Sequence, residues 1–75
     1  MADPDPIQPE ATAWVAAFAE RLGVDPPDAE AIDALLALAG VAAHASHRQA
    51  APLACYLVGR AGLSPREAVA LARTA

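Results

Sequence analysis

The 75-residue chain is predicted to be all-α, a compact bundle of about four helices with short loops. Hydrophobic residues make up 56% of it, and much of that is alanine. Alanine has the highest helix propensity and lets helix axes approach closely. Apolar residues recur at spacings of three and four, with no strand-period alternation and no internal repeat. Prolines, glycines and cap residues divide the chain into helix-length segments.

Residues 1–8 place Pro4 and Pro6 among acidic spacers and are expected to form a disordered or extended N-terminal tail. Residues 9–75 are then a single helical domain. Pro9 suits the first turn of a helix, and Glu10 suits its positive end. Trp14, Val15, Phe18 and Leu22 follow on one helical face, and Gly23 ends the helix, which is expected over about 10–22.

Asp25-Pro26-Pro27-Asp28 is a break followed by an N-cap, with Glu30 placed to favour the dipole. Ile32, Leu35, Leu36, Ala39 and Ala42 or Ala43 trace a stripe that Leu38 and Val41 widen. The polar strip left over is narrow, carrying mainly Glu30, Asp33 and His44. A helix this apolar, expected from 29 to about 46, is central to its bundle or covered by another chain.

His47 to Ala51 reads as the link, with Pro52 opening the third helix. Leu53, Tyr56, Leu57 and Arg60 share one of its faces, while Cys55 and Val58 point away. That helix is therefore buried or awaiting a partner, and Gly62 closes it. Ser64-Pro65-Arg66-Glu67 is a capping box with proline at the first helical position, the strongest local signal in the chain. Val69, Ala72 and Leu71 are expected on the inner face of the last helix.

The composition narrows the function. A domain of this size buries only about 60% of the surface its unfolded chain exposes. Alanine contributes little area to that burial, and the chain has one Trp, one Phe and one Tyr. Such a chain often completes its core with a second copy or a host protein, so self-association as a homodimer or a protein partner is expected. The single cysteine excludes an internal disulfide framework and fits a cytoplasmic protein. No secretory signal is recognisable, and the longest apolar run, Ala34 to Ala43, is too short to span a bilayer.

Net charge is −4 and uneven. Residues 1–43 hold Asp3, Asp5, Glu10, Glu20, Asp25, Asp28, Glu30 and Asp33 against Arg21 alone. Residues 44–75 hold Arg48, Arg60, Arg66 and Arg73 against Glu67 alone. This sequence dipole can steer a charged partner or favour an antiparallel pair, or it is simply solvated surface. An acidic chain with only Arg66 and Arg73 after Ser64 is not a DNA reader. An acidic bundle of this length is also reminiscent of acyl carrier proteins. Those carry their prosthetic arm on a serine that follows aspartate, and neither Ala45-Ser46-His47 nor Leu63-Ser64-Pro65 fits.

The residues that could carry chemistry gather near one helix break. His44, His47 and Cys55 could supply three ligands of a metal or small-ligand site, but their spacing matches no recognised metal pattern. Two histidines at a helix C-terminus are also favoured there simply by the dipole. Cys55 lacks the neighbours of a nucleophile and reads as a small core residue. Glu30 and Asp33, in a first helical turn, serve the dipole better than acid–base work. No catalytic site, resident metal or cofactor is expected, and the protein is not expected to be an enzyme.

From Trp14 onwards the chain resembles a known family. Its residues are Trp14, Leu22-Gly23-Val24-Asp25, Ala43-His44, Arg48, Ala50-Ala51-Pro52-Leu53 and Tyr56-Leu57-Val58-Gly59. They are similar to a small actinobacterial helical domain of unknown function, found alone or fused to the C-terminus of molybdenum cofactor guanylyltransferase. The resemblance spans roughly residues 12–61 and leaves the capping-box helix outside. Gly40-Val41 stand where that family carries a charged pair, which puts any polar site built from the pair in doubt here. The resemblance implies an accessory or docking module, without the Gly-rich loop a nucleotidyltransferase needs. The expected docking surface is the apolar outer face of the second and third helices. His44, Arg48 and Tyr56 are the expected contact residues. His44 and Arg48 either hydrogen-bond a partner's carboxylates or cap the second helix.

Overall fold

A computed structural model of the chain describes residues 7–74. It contains four helices and no strand among them: α1 (Pro9–Leu22), α2 (Ala29–Ala45), α3 (Ala50–Ala61) and α4 (Pro65–Ala72). The expected tail lies largely outside the described residues. Within them, Gln8 serves as the N-cap of α1, its carbonyl accepting the Ala11 and Thr12 N–H groups at 3.0 Å.

Local chemistry accounts for the helix ends. Asp28 Oδ1 accepts the Ala31 N–H at 2.8 Å and starts α2. Ser64 starts α4 in the same way: its hydroxyl accepts the Glu67 N–H at 3.3 Å and donates to Glu67 Oε1 at 2.9 Å. α1 and α3 both end on a left-handed glycine, Gly23 at φ 76° and Gly62 at φ 70°. In each, the glycine N–H and the next N–H turn back onto the last carbonyls. The bonds are Gly23 to Glu20, Val24 to Ala19, Gly62 to Gly59 and Leu63 to Val58. This is the Schellman arrangement, which an L side chain would strain.

One boundary differs from expectation. α3 begins at Ala50, because the His47 carbonyl takes the Ala50 N–H at 2.7 Å and the Arg48 carbonyl takes the Ala51 N–H at 3.1 Å. Pro52 then falls inside the first turn, where its missing N–H leaves no bond unmade.

α2 is the central element and packs against α3 and against α4. From Ala31 to Ala43 every residue except Asp33 is buried or half-buried. The polar strip of Glu30, Asp33 and His44 is exposed, as its narrowness implied. The core is Leu38 with Ala68 and Val69 of α4, surrounded by Ala34, Leu35, Ala37, Cys55, Val58, Leu63 and Ala72. Small side chains at these crossings let the helices close on one another.

α1 stands apart. It forms no extensive contact with any other helix, and Ala19 is its one buried residue. Its large apolar face is in solvent: Trp14, Phe18 and Leu22 are 46–64% exposed. Leu71 also departs from expectation. It points outward, because α4 seats Ala68 and Val69 in the core and Leu71 follows on the far side. Among the described residues no helix is long and apolar enough to cross a membrane.

Candidate functional site

The three expected contact residues lie around the α2–α3 link, Arg48 within it, His44 just before it and Tyr56 beyond it in α3. His44 lies in the last turn of α2 and Arg48 in the link, both exposed. Neither side chain makes a hydrogen bond or ion pair among the described residues. α2 is instead terminated by the Ser46 N–H on the Ala42 carbonyl at 3.1 Å. Arg48 therefore does not cap α2, and its guanidinium is presented to solvent. His47 has a local task, its Nδ1 accepting the Gln49 N–H at 3.1 Å and holding the turn.

His44, His47 and Cys55 are not assembled into a ligand set. No group of three His, Cys, Asp or Glu side chains is placed to hold a metal ion among the described residues. Cys55 sits half-buried on the inner side of α3, against the core. Burial pushes its thiol pKa up, which disfavours the thiolate that nucleophilic or metal chemistry requires.

α3 is two-sided, as its sequence implied, and the structure assigns the sides. Ala51, Ala54, Cys55 and Val58 face inward, while Leu53, Tyr56 and Leu57 are 62–64% exposed. Tyr56 thus belongs to an outward apolar face that ends at Arg60. α1 offers a comparable ledge: the rings of Trp14 and Phe18, one turn apart, lie 5.1 Å between centroids at 30°. Sequence periodicity placed Trp14, Phe18 and Leu22 on one stripe but gave no signal that the stripe is surface. By contrast, the expected outer face of α2 is largely taken up by α3 and α4.

A separate shallow groove is lined by Glu30, Asp33, Ala34, Ala37, Arg66 and Val69. Across it Arg66 donates to Glu30 at 3.4 Å, with both side chains 79% exposed. An ion pair this wet contributes little to stability.

A model described as Domain of unknown function (DUF6457) matches residues 7–75. The chain belongs to this family. The match takes in α4, which the resemblance over 12–61 had left outside, so the capping-box helix is part of the family unit. No curated protein and no solved structure matches the chain.

Proposed function

We propose that this DUF6457 domain is a non-catalytic interaction module that docks through the outer faces of α1 and α3. The observation that carries the reading is the exposure of Trp14, Phe18, Leu22, Leu53, Tyr56 and Leu57 on a chain whose own core is small. A monomeric soluble domain seldom exposes apolar patches beyond a few hundred Å² unless they bind something. Large aromatic and aliphatic side chains held on helices are the usual anchors of an interface. His44 and Arg48 extend the surface at the α2–α3 link as free donors for a partner's carboxylates.

The finer part of the proposal concerns the setting. The resemblance to an actinobacterial domain fused to molybdenum cofactor guanylyltransferase supports an accessory role in maturation of that cofactor, in the cytoplasm. The domain would position the transferase or its client and would not itself transfer a nucleotide. Calorimetric titration of the purified chain into the guanylyltransferase tests this. Saturable binding that Leu57→Glu abolishes and His44→Ala weakens is expected. Binding that survives Leu57→Glu would remove the α3 face from the proposal, and no binding at all would remove the cofactor setting.

A further inference from the structure

We infer that the occupant of these faces is a second copy of the chain, with α1 of one protomer laid antiparallel on α3 of its partner. The inference rests on the reading above that these faces dock: a second copy covers them in the free chain, and the guanylyltransferase would compete for the same surface. At 46–64% exposure each, the six large side chains leave on the order of 700 Å² in water, taking roughly 150–250 Å² for a whole large side chain. A standard interface covers about 800 Å² per partner, so two such faces used together reach the size a stable dimer needs.

Charge complements the pairing, and the cover it gives to both apolar faces selects it. Glu10 lies one turn before Trp14 at the start of α1, whereas Arg60 lies one turn beyond Tyr56 at the end of α3. Both are exposed and neither has an ion-pair partner among the described residues. Laid antiparallel, the helices bring Glu10 to Arg60, Trp14 to Tyr56 and Phe18 to Pro52 and Leu53. The helix dipoles then oppose. In a two-fold dimer the contact occurs twice, α1 on α3 and α3 on α1, so each copy uses both of its apolar faces. α1, which packs extensively on no other helix among the described residues, gains a partner. Two α1 faces packed antiparallel would also pair Glu10 with Arg21, but would leave the exposed face of α3 uncovered.

Sedimentation equilibrium of the purified chain over a wide concentration range is the test, read together with emission from Trp14, the sole tryptophan. The expected result is a mass approaching twice 7.6 kDa, with Trp14 emission moving to the blue as the dimer forms. Leu57→Glu and Trp14→Glu each weaken dimerisation by about tenfold or more. The charge reversals Glu10→Arg and Arg60→Glu each weaken it, and the double reversal restores it, with helical circular dichroism unchanged throughout. A chain that stays monomeric at every concentration overturns the second copy while leaving the docking reading to the guanylyltransferase titration. A dimer indifferent to Leu57→Glu and Trp14→Glu overturns the pairing, because neither face would then be the contact, and likewise leaves the docking reading to the titration. Mass that grows without limit, or a double reversal that fails to rescue, overturns the closed antiparallel pair.

Discussion

α1 and α4 each begin at a proline with an acidic residue in the first turn, yet they end in different places. α4 buries Ala68 and Val69 within eight residues, while α1 buries Ala19 alone in fourteen. α1 carries the larger apolar side chains, including the only Trp and the only Phe. Amphipathicity therefore does not decide which helix joins the core. α4 fits because its small inner residues close onto the alanine-rich side of α2 around Leu38. The bulky face of α1 meets no matching surface among the described residues, and the same holds for the outer face of α3. The molecule is thus a three-helix core built around Leu38 and rich in small residues, with Trp14, Phe18, Leu22, Leu53, Tyr56 and Leu57 presented outward.

The contrast can be broken most severely at Leu38. Leu38→Ala removes the one large side chain that is fully buried and is expected to cost about 2–5 kcal/mol. That is comparable to the whole stability of a domain this small, so thermal unfolding by circular dichroism should lose its cooperative transition. Phe18→Ala on α1, at concentrations where the chain is monomeric, should leave the midpoint nearly unchanged. An equal loss at both sites would show that α1 is part of the cooperative core.

The two left-handed glycines sharpen the comparison. Gly62→Ala strains the turn that seats Leu63 in the core and should cost about 1 kcal/mol of global stability. Gly23→Ala imposes the same local strain, but its effect should appear as faster amide exchange in α1 alone. Ser64→Ala removes the hydroxyl that caps α4 and should cost about 1 kcal/mol in the denaturation midpoint. Replacing Arg66 by Ala should change stability by less than about 0.5 kcal/mol, since its pair with Glu30 is largely solvated.

The smallest effect is one of pH. The folded state holds the Cys55 thiol above its unfolded pKa because burial disfavours the thiolate. Its contribution is therefore complete below the ordinary thiol range and is lost as pH rises through the folded value. Wild-type protein should lose stability on the alkaline side more steeply than Cys55→Ala, with thiol-reagent labelling rising over the same interval. Identical alkaline limbs would show that α3 opens too readily to protect its inner side.

Several features were legible from residues alone because their causes are local. The Asp28 cap, the Ser64-Glu67 box and the glycine stops at 23 and 62 each depend on a few adjacent atoms, and each appears where its residue type requires. The central place of α2 was legible as well, since a helix apolar nearly all round has no stable exposed position. The start of α3 moved two residues upstream because the turn at His47 and Arg48 forms its own backbone bonds, which side-chain patterning does not report. Of the candidate site, Tyr56 was legible as part of one face. Arg48 was legible only as two alternatives, and among the described residues it makes no capping bond to α2.

The sequence by itself therefore determined the helices, all of their ends but the start of α3, the charge asymmetry and membership of a family. Only the tertiary structure decided which stripe of each helix turns inward. Periodicity marks that a face is apolar, but burial depends on whether another surface in the same chain has the shape to meet it. Alanine, valine and cysteine at the crossings of α2 with α3 and α4 allow that close approach, and the larger Trp14, Phe18, Leu53 and Leu57 are left facing outward.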